Sequence, residues 1–315
     1  MEYGMRVIAL GFFDGVHIGH GALLRRAAER ARELGVVPAV ISFDTHPVKM
    51  VTGAAVPLIN SPLDRADLMK RLYGIDDLIF LHYDRELMHM AWDDFIRWLA
   101  SDFGAVHLVA GYNFHFGYRG EGDSEKLVKK CAELGIGCDI VEKVSLDGVP
   151  VSSTYIRGLL LDGRLEEANR FLGHRHILTD SVRYGYRFGR TLGTPTVNMR
   201  FEDGVLVPLH GVYAAEVHIL DTGEVRPAVT NIGVRPTSGG DSSVTVESHL
   251  LDYAGNLYGR RIRVEFYKFL RPELKFGSVA ELRDQIRCDA AETMSFFDDQ
   301  VPDGGKIDPF DFSER

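Results

Sequence analysis

The chain has 315 residues, 45% of them hydrophobic and 26% charged, with a formal net charge of −9. That balance describes a globular protein of one large or two ordinary domains, and its sign argues against non-specific binding to nucleic acid or an anionic membrane surface. No apolar run reaches the ~18 residues of a membrane span, no basic region precedes an apolar stretch at the N-terminus, and three cysteines without a CxxC pair fit a reduced, cytoplasmic setting.

The first predicted element is a strand over residues 5–12, around the apolar run Val7-Ile8-Ala9-Leu10. A helix over 20–34 follows, with Leu23, Ala27, Ala31 and Leu34 on one face. A second strand covers 36–43. This βαβ opening predicts a doubly wound parallel sheet. Next comes a helix with Ser61 as N-cap and Pro62 in its first position. Helical spacing recurs in "WDDFIRWLASDF" and "DSEKLVKKCAELG", and the short strands "DLIFL" and "VHLVAG" belong to the same pattern. The pattern ends near residue 173, with a helix in "EEANRFLG". From His176 to Leu270, short alternating strands and turn residues predict an all-β barrel or closed sheet. A last helix starts at Ser278, with Glu281 completing a capping box and Leu282, Ile286, Ala290 and Met294 along its apolar face. The tail from Asp298 is polar and is expected to fray. The reading is two domains, 1–175 (α/β) and 176–315 (all-β with a terminal helix).

Between the first strand and helix lies "GFFDGVHIGH", Gly11 to His20. A helix N-terminus presents unpaired N–H groups and the positive end of the helix dipole, which suits a phosphate. Gly11, Gly15 and Gly19 allow a ligand close to the backbone. His17 and His20, three apart, can face one ligand and donate hydrogen bonds to a phosphate carrying developing charge. Such a turn by itself is structural as often as functional, and a zinc site lacks a third ligand nearby. The stretch is neither a GxGxxG fingerprint nor a P-loop, and no GxxxxGK[ST] occurs in the chain. Asn113 offers an amide donor and acceptor to a nucleotide. Ser152, Ser153, Thr154 and Arg157 open a helical run where hydroxyls, N–H groups and a guanidinium can converge on a triphosphate, with an ordinary N-cap as the plainer alternative.

In the β half, "GRTLGTPTVN" runs from Gly189 to Asn198. Thr196 and Asn198 share a strand face and are hard oxygen ligands suited to Mg²⁺, against the plainer reading of a β-turn at Pro195. Alternation sets Thr245, Glu247 and His249 on one face and Val244 and Val246 on the other. A carboxylate facing a barrel opening can take a proton from an attacking hydroxyl, although most strand glutamates merely face solvent.

"HIGH" at 17–20, after a first strand, resembles the nucleotidyltransferase superfamily, which includes class I aminoacyl-tRNA synthetases. The longer "GFFDGVHIGH" resembles the bifunctional riboflavin kinase/FMN adenylyltransferases, the prokaryotic FAD synthetases. "FDTHP" (43–47) is similar to that family's FDPHP, with Thr45 in place of proline. "GYNFHFGYRGEGD" (111–123) and "VSSTYIRGLLLDGRLEEANRFLG" (151–173) are similar to two further family segments, with Tyr155 where an arginine is common. "GRTLGTPTVN", "GVYAAEV", "NIGVRPT", "VESHLLDYAGNLYG" and "LRPELKF" follow the riboflavin kinase domain in order, with Thr194 replacing the phenylalanine of LGFPT. The resemblance spans about residue 6 to about residue 297.

That resemblance implies an N-terminal Rossmann-like nucleotidyltransferase domain followed by a C-terminal riboflavin-kinase-like β-barrel with a terminal helix. It implies phosphorylation of riboflavin to FMN by the second domain and adenylylation of FMN to FAD by the first, with ATP and Mg²⁺. It carries catalytic roles onto His17, His20, Asn113, Arg157 and Glu247. Nucleotide binding falls to Gly11, Phe12, Asp14, Gly15, Gly19, Ser153, Thr154, Gly189, Gly193, Thr196 and Asn198. Flavin binding falls to His46 and Arg235, and Mg²⁺ to Thr196 and Asn198. Nucleic acid and membrane are not expected as partners, and self-association is at most weak. Three other readings stay open. An RNA-linked protein would want a KMSKS-like loop, and "KMVTG" at 49–53 lies too early for one. A flavin sensor without catalysis would have lost His20 or Glu247, and both are present. In the third, one half is active and the other has decayed.

Overall fold

The computed structural model of the chain describes residues 4–44, 55–184, 194–236 and 242–299, with the side chains of 235, 236, 242 and 243 set aside. His46, Gly189, Gly193, Thr45 and the tail beyond Asp299 lie outside the described residues, as does the Arg235 side chain. The chain packs as two compact units, Met1–Ser153 and Thr154–Arg315.

The first unit holds strands β1 (Arg6–Leu10), β2 (Val37–Phe43), β3 (Asp77–Leu81), β4 (Ala105–Gly111) and β5 (Gly137–Val141). They form a parallel sheet in the order β3-β2-β1-β4-β5. Val7, Ile8, Ala9 and Leu10 are all buried, as expected of a central parallel strand with both faces covered. Helices α1 (Ile18–Leu34), α2 (Pro62–Tyr73), α3 (Arg85–His89), α4 (Trp92–Asp102) and α5 (Ser124–Leu134) fill the connections. α1 buries Leu23, Leu24, Ala27 and Ala31. Leu34, read from the sequence onto that face, is 51% exposed instead. Leu34 is the last residue of the helix, and Gly35 caps it in the left-handed conformation directly after. α2 begins as predicted: Ser61 Oγ accepts from Asp64 N at 3.1 Å and Pro62 follows. β5 and the two-residue strands β6 (Ser145–Leu146) and β7 (Val149–Pro150) were not read from the sequence.

The second unit begins with α6, which runs Ser153–Leu161 across the division, and α7 (Leu165–Leu172). α7 is tied to the β-sheet through Asn169. Its Nδ2 donates to Phe266 O at 2.9 Å, and its Oδ1 accepts from His176 N at 2.8 Å. Strands β8 (His176–Ser181), β9 (Val197–Met199), β10 (Gly211–Ile219), β11 (Glu224–Pro236), β12 (Ser242–Leu250) and β13 (Arg261–Arg271) form an antiparallel sheet in the order β8-β13-β10-β11-β12-β9. Among the described residues the predicted closure is present as one bridge: Arg183, just past β8, donates its N–H to Asn198 O of β9 at 2.9 Å. Helix α8 (Val279–Asp299) ends the described chain. Ser278 Oγ accepts from Glu281 N at 3.2 Å, while the Glu281 carboxylate takes Gly277 N, one residue earlier than a capping box requires. Its predicted apolar face is only half-buried. The buried positions are Asp289 and Thr293. Asp289 is drawn in by Arg271 of β13, which donates to both carboxylate oxygens at 2.9 and 2.7 Å.

Candidate active sites

In the first unit, β1 and β4 lie side by side where the chain reverses its direction of winding. Crevices at such switch points, outside the carboxyl ends of the strands, are where open α/β sheets bind ligands. The loop after β1 carries "GFFDGVHIGH", and Asn113 follows β4 two residues past its end. The loop is tightly wound. Phe13 (φ 55°) and Val16 (φ 41°) take left-handed backbone without being glycine, and Gly15 (φ 83°) stands between them. Such residues cost roughly 1–3 kcal/mol each and persist where the surroundings over-determine them. Phe13 and Val16 are fully buried, which supplies that constraint.

The helix starts earlier than predicted because His17 is its N-cap: His17 Nδ1 accepts from His20 N at 3.2 Å. A neutral His17 with Nδ1 accepting carries its proton on Nε2. The His20 ring stacks on His17 at 3.6 Å, nearly parallel. Burial, then the neighbouring His17 ring and Arg65 guanidinium, hold His20 well below the ordinary histidine range. It is a neutral imidazole with Nδ1 unpartnered. Gly19 makes room for this pair, since a Cβ there would sit 3.2 Å from the His17 ring. Gly11 likewise clears space for the Phe13 ring, so the protein fills part of the room the sequence reading reserved for a ligand.

Three other residues shape the loop. Asp14, read as nucleotide-binding, is fully buried, and its Oδ1 accepts from Ile59 N at 2.8 Å and Asn60 N at 3.5 Å. It holds the loop against the start of α2, which accounts for its burial. Ser153 Oγ donates to Asp14 O at 2.9 Å. Arg65 went unremarked in the sequence, yet its side chain is fully buried, donating to Phe12 O at 2.7 Å and Phe43 O at 3.2 Å and lying over the Phe12 ring. An arginine on the buried face of a helix is its only sequence signal. Thr154 and Arg157 belong to the second unit by packing.

In the second unit, two cavities meet at Thr196. One, of about 450 Å³, is lined by Thr196, Asn198, Leu250, Asn256, Tyr258 and their neighbours. The other, of about 340 Å³, is lined by Thr194, Thr196, Asn231, Glu247, His249 and the apolar Val212, Val229, Leu282 and Ile286, among others. Register explains the polar wall. Glu247 of β12 pairs with Asn198 of β9 on one side and Asn231 of β11 on the other. Directly paired residues share a face, so the three form a row. His249 Nδ1 donates to Pro195 O at 3.0 Å and fixes the turn that carries Thr196. Val246 is fully buried on the opposite face, as the alternation predicted.

The comparisons with known proteins follow this division. The FAD synthetase family model matches residues 2–155, and the riboflavin kinase family model matches residues 172–297. The chain is 38% identical to a bifunctional riboflavin kinase/FMN adenylyltransferase of Pseudomonas fluorescens, covering 90% of this chain and 91% of that protein. It is 34% identical to the protein of that name from Listeria monocytogenes, over 93% and 92%. The chain belongs to the bifunctional riboflavin kinase/FMN adenylyltransferase family. A solved structure from Streptococcus pneumoniae, named a macrolide-efflux protein, matches with a TM-score of 0.80 at 28% identity, covering 92% of this chain and 94% of that one. Among the described residues no helix is long and apolar enough to cross a membrane.

Two departures from the family pattern have local accounts. Tyr155 donates its hydroxyl to Glu167 at 3.0 Å and packs edge-on against Phe171, so it ties α6 to α7. Thr194 lines the 340 Å³ cavity, where it takes up less of the wall than the family's phenylalanine. Among the described residues the His/Asp/Glu cluster with metal-like spacing is Glu216, His218 and Glu265, away from the predicted Thr196–Asn198 pair. Arg263 donates to Glu265 at 3.0 Å within that cluster, so a protein cation already meets its charge.

Proposed function

We propose that the chain performs both reactions of its family, each in its own half. In the second half, the 5′-hydroxyl of riboflavin attacks the γ-phosphorus of ATP, the bond to ADP breaks, and FMN forms. Glu247 takes the hydroxyl proton as general base. The single observation that carries this reading is the row of Asn198 and Glu247 across two cavities that meet at Thr196. It sets a candidate base on one side and nucleotide-binding oxygens on the other. The apolar lining of the smaller cavity suits a flavin ring, and the larger cavity suits ATP. Thr196 and Asn198 offer a hydroxyl and an amide oxygen, a donor set that fits Mg²⁺, which would shield the phosphate charge when bound.

In the first half, an oxygen of the FMN phosphate attacks the α-phosphorus of ATP and pyrophosphate leaves. His17 and His20, packed together, donate hydrogen bonds to the phosphate oxygens as charge develops. Asn113 binds the nucleotide beside them. Ser153 offers its backbone N–H, its hydroxyl being given to Asp14 O, and Thr154 and Arg157 take triphosphate oxygens. The working boundary between the halves is near residue 175. Cys131, Cys138 and Cys288 are free thiols, which suits the cytoplasm.

Incubating the pure protein with riboflavin, ATP and Mg²⁺, and separating the flavins, tests the whole reading. FMN and then FAD should appear, both dependent on Mg²⁺. FMN without FAD under excess ATP would reject the adenylyltransferase half.

A further inference from the structure

Beside Glu247, two more polar side chains converge on a glycine. Asn231 stands directly across the ladder from Glu247, with Cβ atoms about 5 Å apart in such pairs. Gly233 lies two residues further along β11, on the same face. A Cβ built on Gly233 would lie 2.1 Å from Glu273 Oε1 and 3.2 Å from Asn231 Nδ2. The carboxylate and the amide therefore meet over the bare backbone of that glycine. All of these residues line the 340 Å³ cavity together with Glu247 and the apolar Val212, Val229, Leu282 and Ile286.

We propose that Asn231 and Glu273 bind the secondary hydroxyls of the acceptor's polyol chain and thereby set its terminal hydroxyl on Glu247. This assignment rests on the reading of Glu247 as the kinase base. Riboflavin is a flat aromatic ring system carrying a five-carbon chain, whose three middle carbons each bear a hydroxyl and whose last carbon bears the terminal hydroxyl. If the ring meets Val212, Val229, Leu282 and Ile286 and the terminal hydroxyl meets Glu247, the polyol must cross the wall between them. The amide there both donates and accepts, and the carboxylate accepts. Hydroxyls taken from water into this cavity need such partners. Gly233 is part of the device, because any side chain there would push Glu273 aside.

The test is a cycle of acceptor and variant in steady-state kinetics. The acceptors are riboflavin and an isoalloxazine carrying an unbranched 5-hydroxypentyl chain on the same nitrogen. Wild-type protein should favour riboflavin in kcat/KM by at least about 100-fold, because a site built to bind hydroxyls rejects an analogue without them. Asn231→Ala should lower kcat/KM for riboflavin roughly 10- to 100-fold but change the hydroxypentyl acceptor less than about threefold. Gly233→Ala keeps both polar groups in the chain, displaces Glu273, and should act in the same direction. KM for ATP and the rate of FAD formation from supplied FMN should not move. Equal losses on both acceptors would overturn the assignment, since Asn231 would then act through Glu247 or the strand. Unchanged riboflavin kinetics in both variants would overturn it as well. Phosphorylation of neither acceptor by the wild-type protein would reject the kinase reading itself, and this assignment with it.

Discussion

The loop after β1 and the face of β12 hold their polar groups in different ways. In the loop, His17 and His20 stack at 3.6 Å on a backbone with two left-handed non-glycine residues. His17 caps α1 with the same ring that is proposed to face phosphate. On β12 the backbone is ordinary extended strand. Alternation sends Val246 into the core and Glu247 into the cavity. In the first case fold and chemistry share atoms. In the second they occupy opposite faces of one strand, and a site residue can change while the core stays as it is.

The sharpest test of that separation is Glu247→Gln. FMN formation should fall roughly 100- to 10,000-fold, the range for losing a general base, while flavin binding and FMN-to-FAD conversion hold. Near-normal kinase activity would leave Glu247 a bystander facing the cavity. Next in size is Asp289→Ala. It leaves Arg271, 17% exposed, without its bidentate partner, and should destabilise the second unit by about 3–5 kcal/mol in a urea titration. His20→Ala should slow FAD formation at least about 100-fold and spare FMN formation. His17→Ala should match that loss and also lower the stability of the first unit by about 0.5–2 kcal/mol, the worth of an N-cap. If the two variants unfold alike, fold and chemistry are not shared at His17 after all.

The smallest expected effect is a pH dependence. His176 is fully buried beside Phe201 and Phe266, with neither ring nitrogen partnered, and burial pushes it down to about 3. Unfolded, it takes a proton below about pH 6.5, whereas the folded group stays neutral until about pH 3. The unfolded state binds the extra proton, so stability falls as pH drops through this window, by up to about 1.4 kcal/mol per unit. His176→Phe should flatten that slope when urea midpoints of the second unit are compared at pH 7 and pH 5.

Much of this architecture was legible because local chemistry and tertiary packing agree. The run Val7–Leu10, the Ser61-Pro62 helix start and the alternation around Glu247 each have a single comfortable solution. Failures came where packing overrode period. Leu34 has the spacing of a core residue but is the last residue of α1 and is exposed. The buried face of α8 differs from its apolar periodicity because Asp289 goes in, and its reason, Arg271, lies on another element. Arg65 was missed on the same ground: the carbonyls of Phe12 and Phe43 that hold it are distant in sequence. The row Asn198–Glu247–Asn231 depends on strand register, which no single segment contains.

β9 has three residues and, among the described residues, meets the strand region on its far side through one bridge, Arg183 to Asn198. The residue proposed to hold Mg-ATP thus sits on a three-residue strand at a thin seam of the described sheet, where local opening should be easy. Nucleotide bound across Thr196 and Asn198 would act as a stitch, since a ligand stabilises whatever conformation it needs. The Arg183 amide then becomes a reporter: its hydrogen exchange should be fast in the free protein and slow markedly with ATP and Mg²⁺, while amides in the middle of β10 stay slow throughout.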